Sequence, residues 1–331
     1  MNKNLIDLHL HIDGSLNVRW MYERALLRGV IPADTAFTSY YDSLFPTGEQ
    51  GDALFAKFDV PLAVMQREDD IHDACYGLVE EICRDGVLYA ELRFAPQLHV
   101  RQGLNQEQAL IAALAGIHDA MKDYPIKVNI LNTFMHTGSS AKVNEEENLE
   151  TLRLARKYLG QGVAGVDLAG YENNCDLEEY APLFAEAKKE GIPFTIHAGE
   201  MGNGANVLKA IAMGTKRIGH GIFAVQDPSW LQALIDNDVT LEVCVTSNLY
   251  FGFTYATHPI HELLRKGVRV TINSDDMTFC LNNLAYEHFI LNKVGITEEQ
   301  LLQCSLNAVD AAFLSETEKE ELKQKILKDG L

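Results

Sequence analysis

The chain of 331 residues is 47% hydrophobic, which is enough to bury a large core in one large domain or two ordinary ones. Its formal net charge of −19, from 47 acidic and 28 basic residues, repels phosphate backbones and anionic lipids, so neither a nucleic acid nor a membrane is an expected partner. The sequence has no apolar run near the roughly 20 residues of a membrane span and no signal-peptide pattern. Its six cysteines are scattered without a CxxC pair, which argues against a disulfide framework and favours the reducing cytoplasm.

The hydrophobic pattern predicts strands and helices in alternation along the chain. Each predicted strand is followed by at least one predicted helix. The strands cover 5–8, 87–94, 127–134, 162–168, 193–197, 216–219, 240–244 and 268–272. The helices cover 19–27, 52–66, 70–84, 106–122, 177–189, 205–213, 229–236 and 260–266, with one more that begins at the acidic run 144–147 and others after the last strand.

This repeated β–α unit, with short apolar strands bounded by glycines, is typical of strands that are buried on both faces. The strand count and the length match an α/β fold, a TIM (β/α)8 barrel of about 250 residues with extra helices inserted after strand 1 and at the C-terminus. A doubly wound sheet, the main alternative, needs a glycine-rich phosphate turn after its first strand, and residues 11–15 contain no GxGxxG. Because composition does not break anywhere, residues 1–331 are predicted to form a single domain.

Two histidines lie at the end of the first predicted strand. Because side chains alternate along a strand, His9 and His11 point to the same face, about 6.6 Å apart along the chain, and can bind one metal ion together. Asp13 follows them at the rim of the strand. Two partly exposed strand histidines without a metal are the alternative that this short pattern leaves open.

Ligand-type residues also follow other predicted strands. In a TIM barrel the catalytic residues come from the carboxyl ends of the strands, which all lie at one face. His197 ends strand five, and Asp275 follows strand eight. A mononuclear hydrolytic zinc site needs three or four nitrogen and carboxylate ligands and an open position for water. The set predicted from three strands is His9, His11, His197 and Asp275.

Further residues can handle protons at this site. Glu200 lies three residues beyond His197 and can reach the open position as a proton carrier. His220 ends strand six and can act as a second base or an orienting group. The alternative interpretation of Asp275 and Asp276 is structural, namely that the pair caps the N-terminus of a helix. The remaining histidines are interpreted as structural: His72, His99, His118, His136, His258, His261 and His288.

Eight short motifs occur in order along the chain: 9–14 (HLHIDG), 53–59 (ALFAKFD), 89–96 (YAELRFAP), 167–170 (DLAG), 197–200 (HAGE), 219–221 (GHG), 242–244 (EVC) and 273–276 (NSDD). In this order the chain resembles the adenosine deaminase family of zinc-dependent barrel hydrolases over nearly its full length. The resemblance implies one zinc ion per chain on the predicted ligands, Glu200 as the general acid at purine N1, and His220 as the group that holds and deprotonates the attacking water. It also implies substrate contacts from His11, from Asp13 to the ribose 5′-hydroxyl, from the Gly170 backbone to N3, and from Asp276 to N7.

A hydrogen bond between Asp276 and N7 requires a proton on one partner, so we expect the pKa of this carboxyl to be raised. Family members that act on adenine typically carry glutamate where this chain has Asp13 and lack its turn at 168–170, and both features favour a nucleoside. The shorter acid leaves room for a sugar. In relatives, the helix that Leu54, Phe55 and Phe58 match forms a hydrophobic lid over the nucleoside. The alternative is that these three side chains are ordinary core residues of a helix.

The expected activity is zinc-dependent hydrolytic deamination of adenosine and 2′-deoxyadenosine in purine salvage, with a small-molecule purine nucleoside as the partner. Val245 and Met277 stand where relatives usually have proline and are expected to border the pocket floor. Adenine or an N6- or 5′-modified adenosine is therefore the alternative substrate. A non-deaminase amidohydrolase and a non-catalytic binding protein rank lower. Iron or another divalent ion suits the same ligands as zinc.

Overall fold

Eight parallel β-strands form the centre of the computed structural model, which describes residues 4–44 and 56–329. Almost every strand residue is buried, as expected for parallel strands that are covered on both faces. In chain order the strands are β1 (Leu5–His11), β2 (Val87–Phe94), β3 (Lys127–His136), β4 (Val163–Gly170), β5 (Ile196–Ala198), β6 (Arg217–His220), β7 (Thr240–Val243) and β8 (Arg269–Ile272).

The strands pair in sequence order and close into a barrel. β1 to β4 form one parallel sheet and β5 to β8 form another. Two single parallel bridges join the sheets: Val166 of β4 pairs with Phe194 just before β5, and Leu10 of β1 pairs with Asp275 just after β8. The predicted α/β barrel is therefore confirmed, and the second bridge already places Asp275 beside the histidine-bearing strand.

The described α-helices alternate with the strands and pack around them. Four of them lie between β1 and β2 and three follow β8 after a short turn of helix, so the predicted extra helices are confirmed. The helices are α1 (Val18–Leu27), α2 (Phe37–Ser43), α3 (Asp59–Val64), α4 (Glu68–Arg84), α5 (Gln106–Asp123), α6 (Glu145–Tyr158), α7 (Ala181–Lys189), α8 (Asn206–Met213), α9 (Pro228–Asp236), α10 (Val245–Asn248), α11 (Ile260–Lys266), α12 (Met277–Cys280), α13 (Leu284–Lys293), α14 (Glu298–Ala311) and α15 (Glu316–Asp329).

Most predicted boundaries agree with these bounds to within two residues. β5 is shorter than predicted, because Pro193 has no N–H to donate and only Phe194 makes a bridge before Ile196. The predicted helix 52–66 is a 3₁₀ turn at Ala56–Phe58 followed by α3, and its residues 52–55 lie outside the described part of the chain.

The apolar core fills the space between the barrel and its helices. A smaller cluster joins the first two strands to the last two helices, where Ile6 and Leu8 of β1 pack near Val309 and Ile326. Helix α14 contacts both β1 and β8, so it covers the seam at which the barrel closes. No helix in the described ranges is both long and apolar enough to cross a membrane.

Candidate active site

The carboxyl ends of β1, β5, β6 and β8 bring four histidines and an aspartate together. His9 is fully buried and His11 is half-buried at the end of β1. The ring of His9 lies 4.5 Å from that of His197 and 4.7 Å from that of His220, measured between centroids. Oδ1 of Asp275 lies 3.5 Å from Nε2 of both His9 and His11. The predicted ligand residues therefore converge at one point.

The backbone holds Asp275 in an unusual conformation at this point. Its N–H donates to the carbonyl of His9 at 2.8 Å, and its own carbonyl accepts from the N–H of His11 at 2.9 Å. Asp275 has a φ of +62° and His220 has a φ of +61°, in the left-handed region that residues other than glycine rarely occupy. Two strained residues side by side in one cluster are a common feature of functional sites.

The donor atoms fit a metal ion. One potential ligand atom from each of His9, His11 and His197 lies within 4.8 Å of the others, and the same holds for a second group of His9, His220, Cys244 and Asp275. Nε2 of His9 is buried and makes no hydrogen bond within the described residues. A buried nitrogen with an unused lone pair is costly, and a cation bound between these side chains would satisfy it. Cys244 was not predicted as part of this cluster.

Buried carboxylates orient two of the histidines from behind. Nδ1 of His9 lies 3.0 Å from Oε2 of Glu242, and Nδ1 of His197 lies 3.0 Å from Oδ2 of Asp167. A carboxylate at Nδ1 keeps the proton on that nitrogen and leaves Nε2 free to bind a metal. Arg93 bridges the two carboxylates, with Nε 2.8 Å from Asp167 and a second contact to Glu242.

A second arginine extends this network below the histidines. Nε of Arg217 lies 2.6 Å from Glu242, and its Nη1 lies 2.6 Å from Glu91. All these side chains are essentially buried. Sequence reasoning missed this supporting layer, although a charged residue inside an otherwise apolar strand, such as Glu91 or Glu242, is the signal that would have indicated it.

Burial sets the protonation of the histidines. It lowers the pKa of His9 well below its ordinary value, that of His11 to about 3 and that of His220 to about 4. Burial alone would raise the pKa of Asp275, but His220 and His11 hold it below its ordinary value. At neutral pH, His9, His11 and His220 are therefore neutral imidazoles beside an ionised Asp275, which is the state that binds a cation.

Two other carboxyl groups of the site, those of Glu200 and Asp276, have pKa values that are raised and not lowered. Burial, followed by the charges of Asp275 and Glu172, raises the pKa of Glu200 well above its ordinary value. Burial and the adjacent Asp275 likewise raise the pKa of Asp276, which confirms the expectation for this residue. Both carboxyl groups therefore keep their protons to higher pH than ordinary carboxyl groups do. Oε1 of Glu200 lies 3.5 Å from Nε2 of His220.

A cavity of about 350 Å³ opens above this cluster. Burial raises the pKa of Asp13, which faces the cavity, to about 6. The φ of Gly170 is +120°, and a Cβ there would lie 2.7 Å from the carbonyl oxygen of His136, so only glycine fits at this wall. The described lining residues that were predicted for the site are His11, Asp13, Phe58, Gly170, His197, Glu200, His220, Asp275 and Asp276.

Several predictions for the pocket need correction or stay open. Val245 and Met277 are buried and are not among the described lining residues, so neither forms the pocket floor, because both begin short helices whose side chains pack into the core. His136, which was interpreted as structural, borders the cavity. Leu54 and Phe55 lie outside the described residues.

Phe58 lies at the cavity and also packs against the core. Its ring stands edge to face with that of Phe279, with 4.9 Å between centroids. Lys57 and Tyr250 line the same part of the cavity and were not predicted. Nζ of Lys57 lies 4.7 Å from the ring centroid of Tyr250 and 5.0 Å from that of Phe279. This side of the cavity is therefore an aromatic wall that carries one cation.

Comparison with known proteins agrees with this geometry. The family model described as Adenosine deaminase matches residues 5–329. An adenosine deaminase from Haemophilus ducreyi is 36% identical over 328 residues, which cover 96% of this chain and 94% of that protein.

Two solved structures share the fold. An adenine deaminase from Arthrobacter aurescens superposes with a TM-score of 0.88 at 24% identity, over 99% of both chains. An amidohydrolase from Burkhoderia ambifaria with bound Zn has a TM-score of 0.86 at 22% identity, over 98% of this chain and 90% of that chain. On the match of the family model to nearly the whole sequence and the 36% identity to a full-length relative, the chain belongs to the adenosine deaminase family.

Proposed function

We propose that this protein catalyses the hydrolytic deamination of adenosine and 2′-deoxyadenosine to the corresponding inosines and ammonia, as an enzyme of purine salvage. The observation that carries the proposal is the convergence of His9, His11, His197 and Asp275 below a cavity that is lined by Glu200, a carboxyl group with a raised pKa. Membership of the adenosine deaminase family supports the same activity.

One zinc ion per chain is the cofactor we infer, held by His9, His11, His197 and Asp275. The free lone pair on His9 and the ionised state of Asp275 support this assignment, as does the zinc in the amidohydrolase from Burkhoderia ambifaria. When bound, zinc lowers the pKa of water toward about 7 and so supplies a nucleophile at neutral pH.

Glu200 is the proposed general acid. A protonated carboxyl can donate to N1 of the purine, which draws electrons from C6 and makes that carbon open to attack. Water adds at C6, the C6–N6 bond breaks, and ammonia leaves, so that adenosine and water become inosine and ammonia. The raised pKa of Glu200 favours the protonated form that this step requires.

His220 is the proposed base for the attacking water. Its imidazole is neutral at pH 7, since burial lowers its pKa to about 4. Its Nδ1 lies 3.0 Å from the amide nitrogen of Asn248, whose Oδ1 is buried without a partner in the described residues. If this amide is turned, Oδ1 of Asn248 accepts a hydrogen bond from the Nδ1–H of His220, and Nε2 of His220 is then free to take a proton from water.

Six other residues are assigned to substrate binding, with His11 beside them. Asp276, whose pKa is raised, would donate to N7 in its protonated form. The backbone of Gly170 would meet N3, and Asp13 would meet the ribose 5′-hydroxyl. Phe58 would cover the nucleoside, and Leu54 and Phe55 are proposed to belong to the same lid. Their support is the resemblance of the motifs, together with the lining of the cavity for all except Leu54 and Phe55.

The proposal also covers the domain organisation, the partner and the cellular location of the protein. We infer a single domain over residues 1–331, a small-molecule purine nucleoside as the partner, and a cytoplasmic location. The six cysteines are free thiols, as is usual in a reducing compartment. The net charge of −19 disfavours nucleic acid as a partner.

The test is ammonia release from adenosine, 2′-deoxyadenosine, adenine, AMP and 5′- and N6-substituted adenosines by the zinc-loaded protein. We expect turnover of the first two, and a loss of at least about 10²–10⁴-fold in kcat for Glu200→Gln. Turnover of adenine alone would mean that Asp13 and Gly170 have other roles. No turnover of any of these purines by a metal-loaded protein would refute the proposed activity.

A further inference from the structure

The carboxylate of Glu172, two residues beyond the end of β4, lies in a pocket of hydrogen-bond donors. The residue is only 5% exposed. Its Oε1 accepts from the N–H of Gly199 at 2.5 Å and from Nδ2 of Asn206 at 2.8 Å. Its Oε2 accepts from the N–H of Glu200 at 3.0 Å and from that of Met201 at 2.9 Å. Four donors thus surround one buried carboxylate.

Three consecutive backbone N–H groups can converge on one anion only where the chain turns tightly. Gly199 supplies this turn with a φ of +69°, and a Cβ there would lie 3.0 Å from Cγ1 of Val207. Such a run of N–H groups around an anion is a known way of binding a negative charge with the backbone. The turn directly follows β5 and includes Glu200.

We propose that Glu172 is a positioning residue that holds the backbone of Glu200, so that the carboxyl of Glu200 points into the cavity at a set distance from the reacting purine. This inference rests on the role proposed above for Glu200. Glu172 acts through the turn at 199–201 and does not itself touch the substrate. Nothing in the sequence pattern indicated this role, because Glu172 lies outside the motifs.

The geometry requires a side chain at position 172 that accepts hydrogen bonds at both of its terminal atoms. A carboxylate accepts at both oxygens, whereas a glutamine amide accepts at one atom and donates at the other. Each oxygen of Glu172 accepts from two N–H donors. In Glu172→Gln, the NH₂ group would therefore face a pair of N–H donors in either orientation of the amide. The turn must then shift, and displacement of a catalytic group by about 1 Å is enough to lower kcat about 10²-fold.

Steady-state kinetics on adenosine and backbone hydrogen exchange together test the proposal. For Glu172→Gln we expect kcat to fall about 10–100-fold with KM changed less than about twofold, because the affected proton transfer occurs in the transition state. The amides of 199–201 should exchange at least about 10-fold faster than in the unaltered protein. Glu172→Asp, which keeps both oxygens on a shorter side chain, should recover part of kcat.

Asp176→Asn is the matched control. Asp176 belongs to the same segment after β4, accepts from the N–H of Glu178 at 2.9 Å and pairs with Lys209 at 2.7 Å. It lies on the surface and does not contact the turn at 199–201. This variant should keep both kcat and the exchange rates of 199–201. If Glu172→Gln does not fold, Glu172→Asp serves as the test variant, with an intermediate fall in kcat at unchanged KM.

The outcomes separate this inference from the proposed activity. If Glu200→Gln is inactive while both Glu172 variants retain full kcat, the positioning role is refuted and the deaminase activity stands. If KM and kcat change in parallel with a general rise in exchange throughout the protein, Glu172 is only structural and the proposal fails. If the unaltered protein deaminates none of the purines, the exchange at 199–201 in Glu172→Gln still decides whether this carboxylate holds the turn.

Discussion

Nδ1 of His9 lies 3.0 Å from Oε2 of Glu242, so a fully buried imidazole on β1 is oriented by a carboxylate on β7. Glu242 also accepts from Nε of Arg217 at 2.6 Å and from Oγ1 of Thr195 at 2.9 Å. The carboxylate therefore joins the candidate metal site to the charged layer beneath it. Removing its charge should weaken both.

For Glu242→Gln we expect affinity for zinc to fall about 10–100-fold, because a neutral amide with one acceptor oxygen holds the Nδ1–H of His9 less firmly than a carboxylate does. Titration of the metal-free protein with zinc in a competing chelator measures this affinity. We also expect the free energy of unfolding to fall by about 3–5 kcal/mol, because buried arginines lose a partner.

Glu91→Gln is the control that separates the loss of stability from the loss of zinc affinity. Glu91 accepts from Nη1 of Arg217 at 2.6 Å and does not touch the histidines. It should lose stability by a similar amount and keep its affinity for zinc. Equal losses of zinc affinity in the two variants would contradict an orienting role for Glu242.

The raised pKa of Asp276 makes activity depend on pH at the alkaline side. Burial and the charge of Asp275 raise the pKa values of both Asp276 and Glu200, so each carboxyl donates a proton below its raised pKa and stops donating as pH rises through it. Asp276→Asn retains an N–H donor at every pH. We therefore expect the fall of log(kcat/KM) at high pH to become less steep in this variant. A profile of unchanged slope would show that Asp276 does not donate to the substrate.

Gly14 lies against the side chain of Asp276. A Cβ on Gly14 would lie 1.7 Å from Oδ1 and 2.4 Å from Cγ of that residue, so Gly14→Ala must displace the carboxyl. We expect kcat/KM to fall about 10²-fold. Gly77→Ala is the control, since a Cβ there meets nothing within 4 Å and alanine suits the interior of helix α4 better than glycine. That control should keep full activity, and equal activity of both alanine variants would contradict the contact.

Glu287 is a buried carboxyl whose ionisation opposes folding. Burial raises its pKa from 4.5 to about 7, while Oε1 accepts from Nδ2 of Asn282 at 2.6 Å and Oε2 has no partner among the described residues. The stability that depends on its proton is fully present below pH 4.5 and is lost as pH rises through about 7. At 1.36 kcal/mol per unit, this amounts to about 3 kcal/mol.

Glu287→Gln keeps the acceptor and removes the charge. Its free energy of unfolding should exceed that of the unaltered protein at pH 8 by up to about 3 kcal/mol, and the advantage should shrink toward pH 5. Urea denaturation at the two pH values measures both differences. A stability difference that is the same at pH 5 and pH 8 would contradict a raised pKa for Glu287.

Strand ends were the part of the site that could be predicted. His9, His11, His197 and Asp275 were recognised because parallel strands in a barrel must end at the same face, and the structure brings these residues together there. The roles assigned to them remain predictions. The lid residues Leu54 and Phe55 also remain predictions, since they lie outside the described chain.

The hydrophobic periodicity was sufficient to predict the barrel, and the residues at the strand ends were sufficient to predict its candidate ligands. Both predictions depend only on local spacing and on the rule that the parallel strands of a barrel end at one face. Only the tertiary structure decided which carboxylate orients which histidine. Glu242 and His9 are 233 residues apart, and Glu172 meets the turn of Glu200 from 28 residues away. Such pairs depend on how β-strands and loops are juxtaposed in the closed barrel. The tertiary surroundings also shift the pKa values of two adjacent aspartates in opposite directions. His220 and His11 lower that of Asp275 against the effect of burial, whereas burial and the charge of Asp275 raise that of Asp276.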